Sequence, residues 1–138
     1  MTTITLFLLM IITYIISIIT HELGHISQLR YLTTTYHLQY LPPRITWNNP
    51  TLNPQEHSSI YYAGILYGLL PIITLYAIEP LAGLITTILY TIGNAWDIAQ
   101  LGQETQHTTA LEKVLNNPTT QKTIAAIIIT TFIISPII

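Results

Sequence analysis

The stretch ITLFLLMIITYIISIITHELGH, residues 4–25, decides how the chain is read. Its first seventeen residues, Ile4 to Thr20, carry no charge, and the run passes unbroken into His21-Glu22-Leu23-Gly24-His25. On an α-helix, positions i and i+4 lie one turn apart on the same face, so His21 and His25 project together and both imidazoles can reach one cation. Glu22 lies beside them, within reach of a water held by that cation. Three polar side chains at the end of an apolar helix would cost several kcal/mol without partners, and a metal ion removes that cost.

The composition agrees with a membrane setting. Only 7% of the 138 residues are charged and half are hydrophobic, with a mean hydropathy of +0.51. A soluble domain carries about 25% charged residues, and this chain could not cover a water-facing surface. The expected class is an all-α integral membrane protein forming one domain over residues 1–138. Four Lys and Arg with a net charge of −2 make no basic patch, which excludes nucleic acid as a partner. The lack of cysteine excludes disulfides and thiolate metal sites. The N-terminal apolar run has no basic flank or A-x-A-like cleavage site, so it is expected to stay in place as a helix.

Working outward, the first helix is expected over residues 4–32. At 1.5 Å per residue it is roughly 43 Å long against a hydrocarbon core of about 30 Å, so its last turns emerge, with Arg30 at the exit. Residues 33–59 are polar and broken by Pro42, Pro43, Pro50 and Pro54. Alternation in His37–Leu41 and Arg44–Trp47 predicts two short strands, a β-hairpin around the Pro-Pro pair. Trp47, Tyr31, Tyr36 and Tyr40 suit a membrane-water boundary. A second apolar helix is expected over 60–78, where Gly64 and Gly68 admit a close neighbour and Pro71 can bend it. Glu79-Pro80 is a tight turn into a third helix over 81–101, which carries Asn94 and Asp97 on one face. Residues 102–117 form a second polar loop with a weakly amphipathic stretch around Leu111, Val114 and Leu115. Asn117-Pro118 reads as an N-cap followed by proline at the first helical position, opening a fourth transmembrane helix over 118–138.

Depth gives an independent check. His21 lies about 17 residues, or some 25 Å, along the first helix, and Asp97 about 16 residues, near 24 Å, along the third, which enters from the same face. The two meet at one level. Arg30, Arg44, Lys113 and Lys122 all fall on the side where these helices exit. By the positive-inside rule that side is cytosolic, with the site nearer to it, both polar loops on it and both termini outside.

HExxH is the arrangement in which zinc peptidases hold a metal-activated water, two histidines binding and the glutamate taking the proton. A catalytic zinc takes three protein ligands and leaves a fourth position for water. His21 and His25 supply two. Asp97 is the expected third, because an ionisable group within a transmembrane helix is costly unless it has a task. Its rivals are Glu104, His107, His37 and His57, all in polar segments. Asn94, one turn before Asp97, has three readings: hydrogen-bond donor to a developing oxyanion, a contact orienting a ligand, or helix packing.

With HELGH late in an apolar helix, a polar segment with strands after it and an Asp in a later helix, residues 5–101 resemble the site-2 protease family (peptidase family M50). Ala63-Gly64 is similar to the start of that family's Ala-Gly-Pro motif, with Ile65 in place of the proline. Gly93-Asn94-Ala95-Trp96-Asp97-Ile98 stands where the family has Asn…Pro…Leu-Asp-Gly. The resemblance implies one zinc ion on His21, His25 and Asp97, water activation by Glu22, and a catalytic role for Asn94. It also implies an intramembrane metalloendopeptidase whose partner is a transmembrane protein or peptide, unwound locally and held along the polar loop as an added strand.

Two alternatives use the same residues. A membrane HExxH peptidase with a glutamate ligand would need Glu104. A ZIP-like divalent metal transporter also carries such histidine motifs in helices, but here their order is reversed and no second metal-binding helix follows.

Overall fold

The computed structural model describes residues 2–41, 44–103 and 105–134. In chain order they form α1 (Thr3–Tyr31), β1 (Tyr36–Gln39), β2 (Arg44–Trp47), α2 (Pro54–Ile78), α3 (Pro80–Gly93), α4 (Ala95–Leu101), α5 (His107–Leu115) and α6 (Pro118–Ile134). The protein is mostly helical, with one two-stranded sheet.

α1 is an inside-out helix. Its buried residues are Thr13, Ser17, His21, Gly24, His25, Gln28 and Leu29, spaced three and four apart along one stripe. Phe7, Leu8, Ile11, Ile12, Ile15, Ile16 and Ile19 are exposed. A helix folded by water would bury the isoleucines and show the threonine and serine. Among the described residues α1 and α2 are long and apolar enough to cross a membrane.

The expectation of four spans is corrected at the third helix. Instead of one rod over 81–101, α3 stops after 14 residues and α4 adds seven. The break is at Asn94, whose backbone leaves helical geometry (φ −109°, ψ 23°). Its amide Nδ2 donates to the Tyr90 carbonyl at 2.9 Å, the acceptor that also takes the Asn94 backbone N–H at 3.0 Å. This is the local competition with the helix ladder that Asn side chains offer. The fourth expected span is described for 17 residues, as α6; the part of it over 135–138 lies outside the described residues.

α2 starts six residues earlier than the apolar run suggests. Asn53 and Glu56 form a reciprocal capping box ahead of Pro54, which satisfies the first backbone N–H groups and lets the polar segment 54–59 join the helix. α2 is the hub, packing on each of the other five helices. It runs antiparallel to α1: Gln28 meets Ser59, His25 meets Ile60 and Gly24 meets Ala63.

The hairpin follows the expected alternation, with Tyr36 opposite Trp47 and Leu38 opposite Ile45. β2 occupies the expected residues, whereas β1 begins one residue earlier than expected and ends at Gln39, two residues short of Leu41; Pro42 and Pro43 lie outside the described residues. Ile45 packs with Leu29 and Ile60, fastening the hairpin to the ends of α1 and α2. At the far end of the chain, Asn117 Oδ1 accepts the Thr119 N–H at 3.0 Å, the expected cap. Its Nδ2 reaches Gln28 Oε1 at 3.2 Å and ties the start of α6 to α1.

α1 ends in a left-handed turn at Thr33 (φ 53°), closed by Thr34 N–H donating to Leu29 O at 2.8 Å. A β-branched residue is a poor occupant of that conformation, at a cost of about 1–2 kcal/mol. Thr33→Gly should therefore stabilise the fold by about 1 kcal/mol in detergent unfolding curves. An unchanged midpoint would reject the strain.

Candidate metal centre

The site is made where α1 lies directly on α2. A Cβ at Gly24 would clash with the Ala63 carbonyl oxygen and stand 2.7 Å from its carbon. One at Gly64 would stand 2.7 Å from His25 Nε2. Only glycine at both positions lets the backbones close and seats the His25 ring in the gap, so Gly64 does admit the close neighbour foreseen for it.

His21 and His25 are 2% and 3% exposed, and their rings meet edge to face with centroids 4.6 Å apart. Asp97 arrives from α4, beyond the break at Asn94. Its Oδ2 lies 2.8 Å from His21 Nε2 and 3.0 Å from His25 Nε2. The two Nε2 atoms are 3.0 Å apart. Three atoms thus form a nearly equilateral triangle.

The chemistry of that triangle follows from the outer face of each ring. His25 Nδ1 is 2.9 Å from the Ile60 carbonyl. A carbonyl only accepts, so Nδ1 carries a proton, and Nε2 is the nitrogen that faces Asp97 and His21. Three acceptor-type atoms this close repel unless a proton or a metal cation sits among them. Four-coordinate zinc with bonds near 2.0–2.1 Å would set its donors about 3.3 Å apart, a few tenths of an ångström wider than the distances here. The residues therefore fit a metal ion. His21, Glu22 and His25 offer ligand atoms within 4.8 Å of one another and could hold one.

Glu22 stands between the histidines and the hairpin: a carboxylate oxygen lies within 4.8 Å of their ligand nitrogens, and its Oε2 accepts the Ile45 backbone N–H at 2.8 Å. That bond ties the carboxylate to β2 and leaves the second oxygen for other partners. All four side chains line a cavity of about 680 Å³ that also takes in Tyr14, Arg44, Trp47, Tyr61, Asn94 and Trp96. Trp47, placed by its sequence at a membrane boundary, holds its ring 5.6 Å from that of His25.

Asn94 is on the cavity wall, but its amide nitrogen is engaged by Tyr90 O. The three rival histidines have other places, although His57 shares the cavity wall. His57 Nδ1 accepts from Trp47 Nε1 at 3.4 Å, and His107 Nδ1 is 2.7 Å from the Tyr62 hydroxyl. His37 is in the exposed strand β1, and Glu104 lies outside the described residues. Tyr90 is the residue that sequence reasoning missed. It is 1% exposed and its hydroxyl is 2.7 Å from His21 Nδ1. Mid-helix in an apolar run it reads as a core aromatic. The one signal was its spacing, seven residues or two turns before Asp97, on the same face.

No protein-family model, curated protein or solved structure matches the chain.

Proposed function

We propose that the protein is a membrane-embedded metallopeptidase, a zinc-dependent endopeptidase of the site-2 protease type that hydrolyses peptide bonds of membrane-embedded substrates. The observation that carries this reading is the triangle of His21 Nε2, His25 Nε2 and Asp97 Oδ2, with all sides between 2.8 and 3.0 Å, joined to a carboxylate at Glu22. His21, His25 and Asp97 would hold the ion, and a bound Zn2+ would supply Lewis acidity and lower the pKa of a water. Glu22 takes the proton from the attacking water and returns it to the leaving amine. Ile45 N–H keeps the Glu22 carboxylate aimed while this happens. Asn94, on the same wall, presents its remaining amide hydrogen to the substrate carbonyl.

The inside-out pattern of α1 supports the membrane setting, since exposed isoleucines are stable against lipid while the polar stripe is packed against the neighbouring helices α2 and α3. The end bearing Arg30, Arg44, Lys113 and Lys122 faces the cytosol. As the resemblance to the site-2 protease family implies, the substrate helix unwinds locally before cleavage.

The test uses the purified full chain in liposomes with a single-pass model substrate. One zinc per chain is expected, with cleavage abolished by a chelator and restored by zinc. Asp97→Ala should weaken zinc binding by more than the roughly 10–100-fold typical of an outer contact. Zinc-loaded protein that leaves substrates intact but moves zinc across the bilayer would replace this reading with a transporter.

A further inference from the structure

We infer that Tyr90 is a positioning residue that sets which nitrogen of His21 faces the metal-binding triangle, an inference that rests on the metallopeptidase reading. The two histidines are one turn apart on α1, and the carbonyls they must use are one turn apart on the antiparallel α2. His25 reaches Ile60 O directly, at 2.9 Å. His21 lies opposite the next turn, at Gly64 and Ile65, and there a phenol stands between ring and carbonyl. The Tyr90 hydroxyl is 2.7 Å from His21 Nδ1 and 3.4 Å from both Gly64 O and Ile65 O.

A hydroxyl beside an imidazole can donate or accept, so that pair alone does not choose a tautomer. The surroundings choose it. Gly64 O and Ile65 O can only accept, and Tyr90 is 1% exposed, with its hydroxyl held among these three groups. The hydroxyl hydrogen goes to α2, and the phenol oxygen is left to accept from His21 Nδ1–H. Nε2 then carries a bare lone pair toward Asp97 and His25. The main chain of α2 thus orients both rings: one by direct contact, the other through Tyr90.

Space has been made for this relay. A Cβ at Gly68 would clash with the Tyr90 hydroxyl and stand 2.6 Å from Cε2 of its ring. Gly64 and Gly68, four residues apart on α2, therefore have different occupants: the first admits the His25 ring and the second the phenol that reaches His21.

The experiment is Tyr90→Phe in the full-length protein in nanodiscs, with zinc affinity measured by chelator competition and the His21 tautomer by ¹⁵N NMR of the metal-free state. The expected result is a 10–100-fold loss of affinity, with His21 passing from a single Nδ1–H tautomer to a mixture while His25 is unchanged. Affinity within twofold of wild type with His21 still protonated at Nδ1 would overturn the role of Tyr90. If the variant does not fold, the wild-type spectrum decides: Nδ1–H on His21 supports the inference, and Nε2–H overturns it. A wild type that binds no zinc yet shows Nδ1–H refutes the metal reading while the tautomer assignment stands.

Discussion

Replacing Glu22 with Gln is expected to lower turnover of a model membrane substrate by about 10²–10⁴-fold, the range that a positioned general base contributes. Zinc should remain bound, because the three atoms of the triangle come from His21, His25 and Asp97. The hairpin should also remain in place. Glu22 meets Ile45 as an acceptor of its N–H, and a glutamine oxygen accepts the same bond. The substitution therefore removes the proton acceptor and little else. Two readings of Glu22 separate here: if it serves only to pin β2 over the cavity, Glu22→Gln cleaves at the wild-type rate and the catalytic assignment fails. Metal content and thermal stability measured alongside keep a folding defect from imitating the result.

Gly24→Ala is expected to damage the site from a residue that touches no ligand. Its new Cβ would press on the Ala63 carbonyl and stand 2.9 Å from Gly64 Cα, so backbone meets backbone and no side chain can turn aside. α1 must move off α2, carrying His21 and His25 with it. Asp97 stays with α4, which packs on α2. A displacement of about 1 Å between catalytic groups can cost on the order of 10²-fold in rate. The overpacking itself should cost about 1–3 kcal/mol of stability. Zinc affinity and turnover should fall together, in contrast to Glu22→Gln. Gly102→Ala is the comparison: its helical backbone sets a Cβ in one tight contact, 3.3 Å from Ala99 O, and should cost much less. A Gly24→Ala protein with wild-type affinity and stability would show that the helices have slack the geometry denies.

Local periodicity carried much of this architecture in the sequence. The i, i+4 spacing of His21 and His25, the uncharged run before them, the alternation that became β2 and the Asn117-Pro118 start of α6 are all near-neighbour patterns, and each is set by backbone geometry. Asp97 was legible one step further, as an ionisable group within an apolar run, and rise per residue put it level with the histidines. The break at Asn94 was not legible. An asparagine in an apolar run can continue a helix or bond back to it, and only the Tyr90 carbonyl beneath it decides.

The rest belongs to packing. That Ile60 offers its carbonyl to His25, that Ile45 gives its N–H to Glu22 and that Tyr90 reaches His21 through the notch at Gly68 depend on the approach of α1 to α2 and on where the hairpin folds back. Residue types alone supplied two imidazoles and two carboxylates on apolar helices. Which nitrogen and which oxygen face one another was decided by backbone groups from distant parts of the chain, because hydrogen-bond direction depends on three-dimensional position and leaves no periodic trace in the sequence.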